Sequence, residues 1–270
     1  MSTLDYGLSG RRVVLTGGAG GLGLPMARFL LEEGANVLLT ALEAEALSAA
    51  SRSLAGKRGR VTTMAADLTD PSTPRAIVNA AYRALGGVDI LINNAGLGPG
   101  AIRPDFWKEK IRFWEEPIDY RTYGQVNFIA PATLAQLLVP AMIGAGWGRI
   151  INVTTSLGTM LNGGCSPYGP TKASLEALTS VQSHDLEGTG VTANVLTPGG
   201  PTDTPMVPPN PAVARETLIH PEVMGPVARW LASPLSDGTS GRRFLAARWD
   251  PCLPDAQAAE ASGAPVAWSV

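Results

Sequence analysis

The chain has 270 residues, 45% of them hydrophobic and 16% charged, enough to bury one sizeable core; one α/β domain with short extensions is the natural division. Its net charge of −2, from 21 basic and 23 acidic residues, gives no electrostatic footprint for nucleic acid or an anionic membrane. Two cysteines, Cys165 and Cys252, cannot build a disulfide framework, and the polar start from Met1 to Arg12 lacks the apolar core of a signal peptide, so a cytoplasmic protein acting on a small molecule is expected.

Short apolar runs alternate with helical stretches from Arg11 to about Ala246, the pattern of a doubly wound parallel sheet of about seven strands with helices on both faces. The first strand, residues 13–15, runs into Thr16-Gly17-Gly18-Ala19-Gly20-Gly21-Leu22-Gly23 and then a helix over 24–33. Glycines between a strand and a helix let the backbone turn tightly and approach a pyrophosphate, whose charge meets the unpaired amides and dipole of the helix start. A strand over 36–40 leads through Ala41 to a helix over 43–54. A strand over 61–65 precedes Asp67, which suits either an adenine amino group or, like Asp70, a helix cap before the helix over 74–85.

A fourth strand, 90–92, opens into Asn93-Asn94-Ala95-Gly96, and a long connection over 97–120 follows, rich in Trp, Phe and charge. The apolar window 128–147 is nearly long enough to span a bilayer. Pro131, Pro140, several glycines and the absence of a basic flank favour a buried helix over 132–145 instead. Strands over 149–153, 192–196 and 243–245 and helices over 171–187 and 221–231 complete the pattern. This gives a domain over residues 1–250 and a polar, alanine-rich tail over 251–270. His184 and His220 stand apart with no carboxylate pattern, so no metal site is expected.

Tyr168-Gly169-Pro170-Thr171-Lys172 puts a phenol and an ammonium four residues apart, on one face of a helix that Pro170 would help to open, with Tyr168 at its exposed end. Bringing a phenol from ~10 to ~7 needs roughly 4 kcal/mol. A lysine charge ~4 Å away at an effective dielectric of ~20 supplies about that much without special burial.

Together, the Thr16-to-Gly23 loop, Asn93-Asn94-Ala95-Gly96, Asn127, the Tyr168–Lys172 pair and Pro198-Gly199 after the sixth strand resemble the short-chain dehydrogenase/reductase family over roughly residues 8–246. The resemblance implies a Rossmann-like fold and a nicotinamide cofactor used to interconvert a secondary alcohol and a ketone. It implies Tyr168 as general acid or base, Lys172 on the nicotinamide ribose and lowering the tyrosine pKa, and Asn127 anchoring a water. The implied cofactor lining is Thr16, Gly17, Gly20, Gly21, Leu22, Gly23, Ala41, Asp67, Leu68, Asn94, Ala95, Gly96, Pro198, Gly199 and Thr202, with Tyr168 and Lys172. It also implies a homodimer or homotetramer.

Two positions depart from the family pattern. Where a serine is usual, thirteen residues before the tyrosine, stands Thr155, with Ser156 beside it; adjacent strand residues face opposite ways, which favours Thr155. At the end of the second strand Ala41 and Leu42 carry neither the acid usual with NAD nor the base usual with NADP, and without a base NAD is favoured over NADP, with Glu43 and Glu45 as weak support.

The 97–120 connection is longer than usual for the family. A short helix there would gather Phe106, Trp107, Phe113 and Trp114 on one side, with Arg103, Lys108, Lys110 and Arg112 at its edges, either as a lid over an aromatic, acyl or anionic substrate or as packing against another subunit. A mobile cover is expected to run on through residues 205–211. A nucleotide-binding homologue without turnover, and a lyase or epimerase on the same scaffold, are the competing functions.

Overall fold

The computed structural model describes residues 4–106, 108–209 and 214–268. Its strands are β1 (Arg12–Thr16), β2 (Asn36–Ala41), β3 (Val61–Ala65), β4 (Ile90–Asn93), β5 (Gly148–Val153), β6 (Val191–Thr197), β7 (Arg242–Leu245) and β8 (Gly263–Pro265). They form one sheet in the order β3-β2-β1-β4-β5-β6-β7-β8. All neighbours pair in parallel except β8, which runs antiparallel to β7 with Gly263 opposite Phe244.

Parallel neighbours cannot be joined by hairpins, and helices make the crossings. These are α1 (Gly23–Glu32), α2 (Ala44–Ser53), α3 (Thr73–Leu85), α4 (Tyr120–Gly124), α5 (Ala130–Gly144), α6 (Leu157–Leu161), α7 (Tyr168–Asp185), α8 (Met224–Ala232) and, after β7, α9 (Asp255–Ser262). Strand alternation sorts the core into two layers. Val13 and Leu15 of β1 face Leu30 of α1 and Val227 and Leu231 of α8. Val14 faces the other way, in one cluster with Ile77 of α3 and Leu134, Leu138 and Met142 of α5. Each such side chain, fully buried, stabilises the fold by roughly 1.5–3 kcal/mol relative to exposure.

Three expectations change. The sheet has eight strands, and the added strand lies in the expected tail, so the sheet continues beyond residue 250, the expected end of the domain. Gly-Ala-Pro carries no strand signal; pairing with β7 makes it a strand, while Ala258 and Ala259 of α9 bury in the core and the Tyr6 hydroxyl donates to Asp255 at 2.6 Å. Second, the helix expected over 132–145 begins at Tyr120 and runs through a π-helical turn, Gln125–Ile129, before continuing as α5. That stretch is long and apolar enough to cross a bilayer by length and composition, and its Ala130, Leu134, Leu138 and Met142 lie in the core. Third, no helix forms over the described residues 102–119. Phe113 and Trp114 meet edge to face at 5.0 Å and are 61% and 68% exposed, whereas Trp107 lies outside the described residues.

Candidate active site

The topological switch in the sheet lies between β1 and β4, and the loops leaving the carboxyl ends of these strands are braced against each other. Thr16 Oγ1 accepts from the amides of Asn94 at 3.0 Å and Ala95 at 3.1 Å, and Asn94 Nδ2 donates to the carbonyls of Thr16 at 3.0 Å and Gly17 at 2.9 Å. Gly17 has φ +65°, and a Cβ there would lie 2.8 Å from Ala95 Cα; a Cβ on Gly23 would lie 2.3 Å from Gly17 O. Sterics therefore demand both glycines. A Cβ on Gly20 would meet nothing within 4 Å, so its role is to leave open space rather than to permit a turn. α1 begins without a side-chain cap. Its first amides, of Gly23 and Leu24, donate to Gly20 O at 3.0 and 3.3 Å, so what the helix start offers a phosphate is chiefly its dipole.

The other expected cofactor positions surround this cradle unevenly. Ala41 ends β2 and Leu42 is exposed. Leu68 is buried, and Asp67 Oδ1 accepts from the Thr69 amide at 2.9 Å while Asp70 makes the same bond to Ser72, so both aspartates serve local turns. Pro198 and Gly199 line a cavity of about 270 Å³ together with Asn94, Thr155, Tyr168 and Lys172. Thr202 reaches the same cavity, its hydroxyl donating to Gly200 O at 3.0 Å.

Tyr168 is the first residue of α7 but is buried at 8% exposure, not at an exposed helix end. Burial is the main influence on its phenol and raises the pKa above the ordinary value, while a hydrogen bond with the Thr155 side chain pulls the other way. The lowering expected from Lys172 together with a cationic cofactor ring would work against this burial. Lys172 is also buried, its Nζ donates to Val153 O at 2.9 Å, and burial lowers its own pKa to about 8. Loss of water thus acts on both groups in the direction that disfavours charge.

Thr155 is the hydroxyl brought to Tyr168. Ser156 caps α6 instead, its Oγ accepting from the Thr159 amide at 3.1 Å. Asn127 sits inside the π-helical turn; its Oδ1 accepts from the Leu97 amide at 2.8 Å, and its Nδ2 donates to Leu97 O and Thr171 Oγ1, each at 3.0 Å. The widened turn seats this amide between the β4 loop and the first turn of α7, a position π-turns often serve. Gly96 packs against it: a Cβ there would stand 3.2 Å from both Asn127 Oδ1 and Lys172 Nζ.

Sequence reasoning misses the second layer. Glu176 follows Lys172 by one helical turn, on the face that already carries Tyr168 and Lys172, a spacing that could have drawn notice. It is fully buried and accepts from Thr154 Oγ1 at 2.8 Å and Arg243 at 2.7 Å. Cys165 faces the cavity, and burial pushes its thiol up, which gives no activated thiolate. Among the described residues no group of three or more His, Cys, Asp or Glu is placed to hold a metal ion.

Comparison with known proteins agrees with this arrangement. Residues 11–213 match the short chain dehydrogenase family model. The chain is 34% identical over 203 residues to 1-deoxy-11-beta-hydroxypentalenate dehydrogenase of Streptomyces exfoliatus, covering 74% of this chain and 70% of that protein. It is 29% identical over 244 residues to the 3-oxoacyl-acyl-carrier-protein reductase FabG of Thermotoga maritima, covering 87% and 95%. Among solved structures, the NADP-bound 3-oxoacyl (acyl-carrier-protein) reductase of Agrobacterium tumefaciens C58 superposes with a TM-score of 0.76 at 25% identity, covering 87% of this chain and 92% of that one. With the glycine cradle, the Tyr168–Lys172 pair and the switch-point crevice in one place, the chain belongs to the short-chain dehydrogenase/reductase family and is an NAD(P)-dependent oxidoreductase that interconverts an alcohol and a ketone.

Proposed function

We propose that Tyr168 is the general acid and base of this reaction, that Thr155 holds the substrate oxygen beside it, and that Lys172 and Asn127 complete the proton path. The observation that carries the reading is the convergence of Thr155, a buried Tyr168 and a buried Lys172 on the wall of one cavity. A nicotinamide bound between the glycine cradle and Pro198-Gly199 supplies the hydride donor or acceptor. For ketone reduction, the Tyr168 hydroxyl gives its proton to the oxygen while Thr155 polarises the carbonyl; for oxidation, the phenolate removes the hydroxyl proton. A raised phenol pKa favours the protonated, reducing state at neutral pH, so oxidation should gain with rising pH.

The cradle suits a dinucleotide because Gly20 leaves open space at the positive end of the α1 dipole. An NAD preference finds no support. The Agrobacterium relative carries NADP, while Ala41 and Leu42 offer neither a carboxylate nor a cation, and we read the site as accepting both forms. Small-molecule chemistry without nucleic acid or membrane and a cytoplasmic setting belong to the same proposal, supported by the near-neutral charge and two free cysteines; a homodimer or homotetramer is proposed from the family resemblance alone, and sedimentation of the purified protein tests it.

The decisive experiment is Tyr168→Phe. Turnover should fall by about 10² to 10⁴. The thermal stabilisation by NADPH should persist, since a ligand at ~100 times its Kd adds roughly 2.7 kcal/mol. Near-normal turnover in the variant would sink the assignment.

A further inference from the structure

The substrate end of the cavity lies beyond Tyr168, under a roof made by two loops distant in sequence. Gly98 and Gly100, after β4, press against the loop that follows β6: a Cβ on Gly98 would stand 2.5 Å from Met206 Cγ, and one on Gly100 would lie 3.7 Å from Pro208. Under this roof the wall is Pro99, Phe106, Cys165, Pro201, Met206 and Val207. Lys172 is the single charged side chain among the described lining residues, and its Nζ already donates to Val153 O.

Apart from Tyr168 and Thr155, which face the reacting oxygen, and Thr204, the hydroxyls and amide of the lining bond within the protein. Ser156 and Thr159 bond each other at 2.8 Å, Thr154 donates to Glu176, Thr202 donates to Gly200 O, and Asn94 is spent on the β1 loop. Two cations on the neighbouring loops are neutralised outside the cavity, Arg103 being ringed by Asp105, Glu109 and Glu116 at 3.3–3.6 Å and Arg215 pairing with Asp203, while Lys110, packed against Gly164, stays outside the lining.

From this wall we infer that the substrate is a neutral ketone or secondary alcohol with an apolar aliphatic or alicyclic body, rather than a polyol or a free carboxylic acid. The inference rests on the oxidoreductase reading above and sharpens it. The several hydroxyls of a polyol, or a carboxylate, would find few free partners in this wall and lose much of their water uncompensated. Methylene groups would gain by leaving water. Phe106 and Met206 are the residues that set this preference.

The test uses three ketones matched in carbon number, 2-hexanone, a ketohexose and 5-oxohexanoate, with NADPH and NADH and the full chain. The expected kcat/KM for 2-hexanone exceeds those of the other two by about 100-fold or more, the discrimination that unpaired polar groups impose. Phe106→Lys puts a cation into the wall and should move the ratio of 5-oxohexanoate to 2-hexanone at least about tenfold toward the acid. Equal or better use of the ketohexose or the oxo acid by the natural chain, or an unmoved ratio in the variant, would overturn the inference while leaving an oxidoreductase. Absence of turnover with every ketone, despite a raised Tm with NADPH, would instead be a failure of the oxidoreductase reading and would take the inference with it.

Discussion

Arg243 on β7 donates to Oε2 of Glu176 on α7 at 2.7 Å, and both side chains are buried away from solvent. The same guanidinium donates to the Thr155 carbonyl, and the Ala267 amide donates to the other oxygen of Glu176 at 3.3 Å. One ion pair therefore ties the end of β5, the catalytic helix and the C-terminal segment together behind the threonine that lines the cavity with Tyr168.

Arg243→Ala leaves a carboxylate buried without its partner, and it should destabilise the protein by about 3–5 kcal/mol in chemical denaturation. Replacing both residues, Arg243→Met with Glu176→Leu, removes the stranded charge and should cost far less. Equal losses in the single and double variants would mean that the pair matters only through its packing.

Lys172 sets a pH dependence of the cofactor-free protein. Its folded pKa of about 8 lies below its ordinary 10.5, so between these values the unfolded chain binds more protons than the folded one, and stability rises with pH. The rise is at most about 3 kcal/mol. Above pH ~10 it is opposed, because Tyr168 and Tyr123, the latter pushed up to about 12 by burial, keep their protons in the folded state while the unfolded chain loses its own. Melting temperatures of the natural chain and Lys172→Met across pH 7–11 check this: the variant should lose the rise between pH 8 and 10 and be more stable at pH 7, although inactive. Parallel curves would contradict the buried-amine account.

Gly96→Ala brings a methyl group to 3.2 Å from both Lys172 Nζ and Asn127 Oδ1, and the more flexible lysine is the side that gives way. The expected outcome is a loss of kcat of roughly tenfold or more with the fold retained, since small displacements of positioning groups carry large rate penalties. Unchanged kcat with a raised Km for the cofactor alone would show that only binding space was lost.

Gly20→Arg should be tolerated, because the direction of its side chain is open. A charge-assisted hydrogen bond to the extra phosphate of NADPH contributes about 1.5–3 kcal/mol. The variant should therefore favour NADPH over NADH by at least about tenfold relative to the natural chain, and less so at high salt. Titration of both cofactors by intrinsic fluorescence measures the ratio directly; an unchanged ratio would place the ribose away from Gly20.

What the sequence makes legible follows from which signals are local. The apolar runs of β1 to β7 and the strand-turn-helix context of Thr16 to Gly23 are written in contiguous residues, and the structure keeps them to within a residue or two. β8 is not legible, because Gly263-Ala264-Pro265 becomes a strand only through β7. The π-turn that seats Asn127 is hidden for a similar reason: Leu97 and Thr171, which hold it, are 30 and 44 residues away. The Tyr168–Lys172 spacing correctly places both residues on α7, yet the influence of Lys172 on the phenol depends on burial and on the Val153 carbonyl, which spacing does not encode.

The three-residue β8 has a consequence for how copies of this chain can meet. Its outer rim is brief and ends in Pro265, which has no amide hydrogen to offer, so this border of the sheet is a poor template for another strand. A neighbouring molecule cannot prolong the sheet from β7 without first displacing the protein's own C-terminal strand. β8 thus acts as a stopper against fibre-like growth along that border.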